Sequence, residues 1–397
     1  MPTLIRPIFL ALIGLCLSFT SVQAAEKKPV FIAIDAEFGL PNSTSAQSIK
    51  LGVDTALEEI NANGGVLNGR PLELIIKDNR SMPARGIHNL RQLAKTEDMV
   101  AVFSGRFSPV VLETITTLAE NKLINLAPWS SADGITENDM SPNFVFRLSL
   151  KDRYAMPAML KFAEAQGAKK IGLLLTNTSW GRSNLKAAER YLRGVENPVS
   201  VGTSWYNWRD KSLMKEYHIL RKAGAQTIIL VANDDEGASL VSEVSELPEN
   251  QRLPIVSHWG VTGGNFIGQM MRSDALNRVD FSVVQTFSMF TADKLKVAKV
   301  METVRQISEI KTIEEIEAPV GFGHAYDLTH ILARAIDMAG TTDRETVRDK
   351  LEQVKDYDGL VKSFKQPFTP ENHDALNIED VFIARYHSDG TIHPIKP

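Results

Sequence analysis

Cysteine is almost missing from this sequence: Cys16 is the one example in 397 residues. It falls within an N-terminal leader, so a mature chain would carry no thiol, which excludes disulfides, thiolate metal sites and a cysteine nucleophile. Stability must then come from burial, and 43% hydrophobic content over about 370 mature residues is enough for two ordinary cores. Long apolar runs are missing too. The longest, 8–17, has about ten residues, half of what a spanning helix needs. An excess of basic charge is also lacking: without Arg6 there are 43 basic against 48 acidic residues, a net charge of −5, which speaks against nucleic acid and membrane surfaces as partners. Catalytic signatures are absent as well. There is no P-loop, no G-x-S-x-G elbow, no H-E-x-x-H and no strand-linked G-x-G-x-x-G, and His324 and His330, six apart, do not share a helical face. The expectation is a protein without enzymatic activity, metal or cofactor.

What is present starts with an export address. Arg6 gives the positive end, 8–17 the apolar stretch, and Val22-Gln23-Ala24 a small-residue cleavage site, so residues 1–24 read as a signal peptide cut after Ala24 and the location as the periplasm. Leu15 just ahead of Cys16 does not suit a lipidation site.

The mature chain alternates strands and helices. A β-branched run at 30–36 precedes a helix to about 61 with Ile49, Val53, Leu57 and Ile60 at helical spacing, ended by Asn63-Gly64-Gly65. Strands at 72–77, 99–104 and 123–126 alternate with helices at 83–95 and 108–120, which predicts a parallel doubly wound sheet. A second series follows, with strands at 171–176, 227–232, 254–257 and 279–284 and a helix at 179–193. Residues 291–354 turn helical, and 381–395 predict a hairpin around Asp389-Gly390.

Several segments together carry a family resemblance. They are Glu59 to Gly65 with Gly69 and a strand ending in Asp78; Gly105 three residues before Ser108; Ala127-Pro128-Trp129-Ser130-Ser131; Phe146-Arg147; and Trp180-Gly181 before a helix. In this order and spacing the chain resembles the type I periplasmic solute-binding proteins of the branched-chain amino acid (leucine/isoleucine/valine-binding) family of ABC transporters. The resemblance implies an α/β fold of two doubly wound, Rossmann-like lobes joined by three crossovers, closing on a ligand like a flytrap. It places lobe 1 at 27–147 plus 288–358 and lobe 2 at 148–287 plus 359–397. It further implies a monomer that delivers an amino acid or related small carboxylate to ABC permease transmembrane subunits. A sensory protein acting on a membrane receptor, without transport, is the alternative.

In open α/β sheets ligands sit beyond the carboxyl ends of the strands. On that rule Ser108 follows a strand and begins a helix. Two readings stand, an anion contact or a helix cap with Pro109 behind it. The resemblance makes Trp129 a backbone contact, Ser131 a hydroxyl contact to a ligand carboxylate, and Trp180 the ring that covers the ligand. Thr44, with Ser43 and Ser45, is either a further donor or an N-cap. Asp234, in Asn233-Asp234-Asp235-Glu236, is a candidate acceptor for a ligand amine or a dipole partner of its helix. Where amino-acid-binding relatives carry an acidic residue, this chain reads His258-Trp259-Gly260-Val261-Thr262, and Thr262 supplies no charge. Either Asp234 or Asp235 replaces that acceptor, or the ligand has no ammonium group. Arg106 suits a second carboxylate or an aromatic acid stacked on Phe107 or Trp129, or else makes a surface ion pair. The aromatic cluster Trp205, Tyr206 and Trp208 is left unassigned to the site.

Overall fold

A computed structural model describes residues 27–395, so the leader expected over 1–24 lies outside the described residues. The first sheet has five strands: β1 (Val30–Ala36), β2 (Leu72–Asp78), β3 (Met99–Ser104), β4 (Ile124–Ala127) and β5 (Val145–Arg147). All pair in parallel in the order β2-β1-β3-β4-β5. Every residue of β3 and β4 is buried, as expected of parallel strands covered on both faces by helices. The intervening helices are α1 (Thr44–Ala62), α2 (Pro83–Leu93) and α3 (Ser108–Glu120). Helix α1 buries Ile49, Val53, Leu57 and Ile60 and ends as expected: Gly64 and Gly65 have φ of +100° and +67°, and the Gly65 N–H donates to the Ile60 carbonyl at 2.9 Å.

The second sheet is built from 170 onward. Its parts are α4 (Asp152–Ala165), β6 (Lys170–Thr176), α5 (Ser179–Leu192), β7 (Val199–Tyr206), α6 (Met214–Lys222), β8 (Thr227–Val231), α7 (Asp234–Ser245), β9 (Ile255–Ser257), α8 (Phe266–Ser273) and β10 (Phe281–Gln285). The chain then returns to the first sheet as α9 (Lys294–Ile307), α10 (Pro319–Ala339) and α11 (Arg344–Leu351), with α10 lying along α1. A small hairpin, β11 (Tyr357–Asp358) with β12 (Ser363–Phe364), precedes a final return. There β13 (Phe382–Tyr386) pairs antiparallel with β10, and β14 (Ile392–Pro394) with β13, giving the order β14-β13-β10-β9-β8-β6-β7. The tail hairpin turns where Asp389-Gly390 predicted it. Strand β7 and helix α6 were not anticipated, and neither was the β11–β12 hairpin.

The chain therefore passes between the two sheets three times: after β5, after β10 and before β13. The first and third passages are joined. The Arg147 N–H donates to the His373 carbonyl and the Ala375 N–H to the Arg147 carbonyl, both at 2.8 Å. Arg147 Nε and Lys151 Nζ each reach one oxygen of Asp374 at 2.6 Å. Burial alone would push the Asp374 carboxyl up, but Arg147 and Lys151 outweigh it and hold the group below its ordinary range. The second passage is pinned by His324 of α10, whose Nδ1–H donates to the Pro128 carbonyl at 2.8 Å while Nε2 takes the Thr286 hydroxyl at 3.1 Å. Burial pushes the His324 pKa down to about 4, so the ring is neutral, which this donor and acceptor pattern requires.

Candidate functional site

Both sheets present the carboxyl ends of their parallel strands to one shared gap, and the loops there bring four tryptophans together. Trp129 follows β4, Trp180 begins α5 after β6, Trp208 follows β7 and Trp259 follows β9. With Arg106, Phe107, Ser108, Ser131, Asn233 and Gly260 they enclose one site. Four of the five tryptophans of the chain thus lie in it. The Trp129 and Trp259 rings, one from each sheet, lie 5.6 Å apart, and Phe107 meets Trp208 edge to face at 5.3 Å.

The polar groups of the site face one another across the gap. Ser108 Oγ accepts the backbone N–H groups of Ser131 and Ala132, both at 3.2 Å, so its own O–H proton remains to be given. Of the two readings of Ser108, the side-chain cap is not seen: α3 begins at Ser108, with Phe107 in the cap position and no side-chain cap bond. Ser131 Oγ accepts from Trp180 Nε1 at 3.0 Å, a bond between the two halves, and the same indole N–H lies 3.3 Å from Asp152 Oδ1. His258 Nε2 lies 3.1 Å from that oxygen. Beside this chain the Asp133 N–H donates to Ser183 Oγ of α5 at 3.0 Å. Burial, and then the neighbouring Asp152, push the Asp133 carboxyl up to about 6.

Arg106 crosses the gap as well. Its Nη2 is 2.9 Å from Asp234 Oδ1, both side chains being buried, and its Cζ stands 4.7 Å from the Phe107 ring centroid. Asp234 Oδ2 also accepts the Asn265 N–H at 3.2 Å. A Cβ on Gly263 would sit 2.4 Å from Arg106 Nη1, and one on Gly264 1.9 Å from Asp234 Oδ2, so the pair needs this glycine pair to approach. Arg106 Nε and Nη1 and the Trp208 Nε1 have no hydrogen-bond partner although each is buried.

Of the residues expected in the site, Ser108, Trp129, Ser131, Trp180 and Arg106 line this tryptophan-walled site, and Asp234 borders it through Arg106. Thr44 and Thr262 do not. They line a separate cavity of about 610 Å³ between α1, α8 and the β13–β14 turn. The Thr262 hydroxyl donates to the Trp259 carbonyl at 2.8 Å, and Thr44 Oγ1 has no partner. The site among the tryptophans retains only about 10 Å³, room for one water at most. We nonetheless place the functional site there, because donors and aromatic rings from both sheets converge on it. Any guest must therefore part the two halves to enter. Phe107, named as a stacking partner for an aromatic acid, also lines the site, whereas Trp208, Trp259 and Asn233 were not expected. Each stands in a loop after a parallel strand, the one signal that would have selected them.

The comparisons agree with this architecture. The family model described as "Periplasmic binding protein" matches residues 38–391. Among curated proteins, Glutamate receptor 3.1 of Oryza sativa is 26% identical over 226 residues, 57% of this chain and 24% of the receptor. Leu/Ile/Val-binding protein homolog 2 of Brucella abortus is 27% identical over 237 residues, 59% of this chain and 62% of that protein. The match thus spans about a quarter of the plant receptor and under two thirds of the bacterial relative. Among solved structures, the periplasmic binding protein type 1 of Bordetella pertussis superposes with a TM-score of 0.80 at 19% identity, covering 93% of this chain and 100% of that one. The branched-chain amino acid transporter substrate binding protein LivJ of Streptococcus pneumoniae, in complex with isoleucine, gives 0.75 at 18%, covering 93% and 100%. An ABC transporter solute binding protein of Rhodopseudomonas palustris in complex with 4-hydroxybenzoate gives 0.76 at 14%, covering 93% and 96%. This chain belongs to the periplasmic binding protein family whose model it matches over residues 38–391, and it has the type I fold of the solved periplasmic binding proteins.

Proposed function

We propose that this protein captures a small ring-bearing carboxylate between its two halves and hands it to the transmembrane subunits of an ABC permease, without chemical turnover. The halves are divided as 27–147 with 288–358 and 148–287 with 359–397, and Ser108, Trp129, Ser131, Trp180 and Arg106 contact the guest. The observation that carries this reading is the imbalance of the site. Four indole rings offer flat apolar walls, while among the residues that line the site the buried atoms left without partners are Arg106 Nε and Nη1 and Trp208 Nε1, all donors. A buried donor without an acceptor is costly, and a carboxylate is the ligand group that accepts from several donors at once. An α-amino acid would also need an anionic acceptor. Asp234 is already paired with Arg106, Glu37 accepts from the Ser45 hydroxyl at 2.6 Å, and Asp152, whose Oδ1 is shared by Trp180 Nε1 and His258 Nε2, is not among the residues that wall the site. The neighbour holding 4-hydroxybenzoate is consistent with this class.

Because a guest can enter only if the halves separate, and its contacts come from both, binding would favour the closed form by its differential affinity for that form. The test is a thermal-shift and small-angle-scattering series with 4-hydroxybenzoate, 3-phenylpropionate and leucine. A ligand at 100 times its dissociation constant adds roughly 2.7 kcal/mol of stability. The aromatic acids are expected to raise the melting temperature, and Ser131→Ala and Trp180→Ala to remove the rise. Leucine alone giving the shift would overturn the ligand class. A shift that survives both substitutions would overturn the site.

A further inference from the structure

We propose that Asp234 is an internal stand-in for the ligand's carboxylate: it holds Arg106 while the site is empty and gives it up when the ligand binds. The proposal rests on the ring-bearing carboxylate reading above and assigns Asp234 the opposite role to an amine acceptor.

The geometry supplies three arguments. Arg106 and Asp234 belong to different halves, Arg106 to the loop after β3 and Asp234 to the first turn of α7. The site between the halves holds only about 10 Å³, so a ligand enters only by separating them, and that separation parts this ion pair. Secondly, the guanidinium is incompletely used. Asp234 takes one N–H through Nη2, Glu37 Oε1 stands 3.8 Å from Nε, too far for a hydrogen bond, and Nε and Nη1 have no partner. Each two-point fork of a guanidinium, Nε with Nη2 or Nη1 with Nη2, uses the nitrogen that Asp234 holds, so a planar carboxylate makes its two-point contact with this buried Arg only where Asp234 gives way. Thirdly, the charge count requires exchange. Glu37 and Asp234 already place two carboxylates around one cation, and Arg106 is the only charged residue among those that wall the site. A third carboxylate joining them would face uncompensated like charge in a buried setting, whereas a ligand carboxylate that takes the place of Asp234 on Arg106 keeps the balance.

Two consequences follow for the protein without ligand. Asp234 favours the closed arrangement when nothing is bound, and it competes with the ligand for Arg106. The experiment compares wild type with Asp234→Asn, Arg106→Gln and, as a control for charge alone, Asp235→Asn, whose side chain is exposed. Calorimetric titration with 3-phenylpropionate, 4-hydroxybenzoate and phenylalanine is paired with small-angle scattering of each unliganded protein. Phenylalanine differs from 3-phenylpropionate only by its amine. The expected result is that Asp234→Asn binds the two acids about 3- to 10-fold more tightly than wild type, a gain of roughly 0.7–1.4 kcal/mol. It should also show a larger radius of gyration when empty, with Asp235→Asn unchanged in both and Arg106→Gln losing the acids. Weaker or equal acid binding by Asp234→Asn overturns the proposal. So does phenylalanine binding that wild type shows and Asp234→Asn loses, which would make Asp234 the amine acceptor. If no acid binds wild type, the ligand class falls. The proposal is then judged by scattering, where an unchanged radius for Asp234→Asn defeats it.

Discussion

At the scale of single residues, the buried ionisable groups set opposing responses to pH. Asp35 lies within the first sheet with no cation beside it. Burial pushes its pKa from 3.8 up to about 7 against the hydrogen bonds from Asn89 and Asn79. An unfolded chain ionises Asp35 near 3.8 while the folded chain keeps the proton until about 7. Across that window the unfolded state binds fewer protons, so stability falls as pH rises, by at most roughly 1.4 kcal/mol per unit, and levels off above it. His324 acts the other way. With its pKa lowered from 6.5 to about 4, it costs stability as pH falls between those values. Because the two slopes oppose each other between pH 4 and 6.5, Asp35→Asn is expected to leave stability rising with pH over that window in urea-midpoint measurements, the His324 slope uncovered. An unchanged profile would place the Asp35 proton elsewhere. Trp208→Phe tests a donor that serves nothing in the folded chain itself. No hydrogen bond of Nε1 is lost, so the melting temperature should hold, while affinity for an aromatic acid should drop about fivefold if the indole N–H meets the ligand, as a net hydrogen bond of about 1 kcal/mol implies. Trp208 also shows where residue-level legibility ended. Beside Trp205 and Tyr206 it resembled surface packing, and only its place after β7 marks it as a wall of the site. Ser108, Ser131 and Trp180, by contrast, stand after strands that could be recognised from their apolar runs.

At the scale of elements, β7 escaped notice for a physical reason. Val199 to Tyr206 forms the edge of its sheet, its first residues are exposed, and the β6–β7 register shifts before Gly202. It therefore offers neither the continuous apolar run of β8 nor a clean alternation. The buried strands and α1, whose apolar spacing and glycine ending are local features, were legible. Helix beginnings were less so, because a hydroxyl placed before a helix does not reveal whether it bonds the helix or turns elsewhere. Ser43 precedes α1, yet its Oγ has no partner, whereas Asp343 at α11 accepts the Thr346 N–H at 2.9 Å. Asp343→Ala is expected to cost about 1 kcal/mol in denaturant unfolding, and Ser43→Ala a few tenths at most. Equal losses would mean that the α1 hydroxyl caps its helix in solution.

At the scale of the whole molecule, the two-sheet plan was visible in the alternation of elements and in the family motifs. The coupling of the passages between sheets was not, because it depends on residues as distant as Arg147 and Asp374. Arg147, Lys151 and Asp374 meet in a nearly dry setting where the first and third passages run side by side. Removing the anion leaves the buried Arg147 without its carboxylate and Lys151 with Glu137 alone, at 2.8 Å, so Asp374→Ala should cost on the order of 3–5 kcal/mol. Since the Asp374 pKa is lowered, the stability it supplies is present above pH 3.8 and is lost as pH falls through the folded value, so the wild-type and variant unfolding curves should converge in strong acid. A penalty that persists there would point to packing in place of charge.

The placement of β13 against β10 has a further consequence. Val283 and Val284 lie at the centre of a strand whose residues are all buried, and it is chain synthesised about a hundred residues later that covers their open side. Until that stretch docks, the strand is a bare adhesive border on which another copy could align and from which aggregates could grow. Pro394, lacking an N–H in the outermost ladder, then blunts the finished rim. Keeping copies of this protein apart is thus a task of the hairpin over residues 382–394.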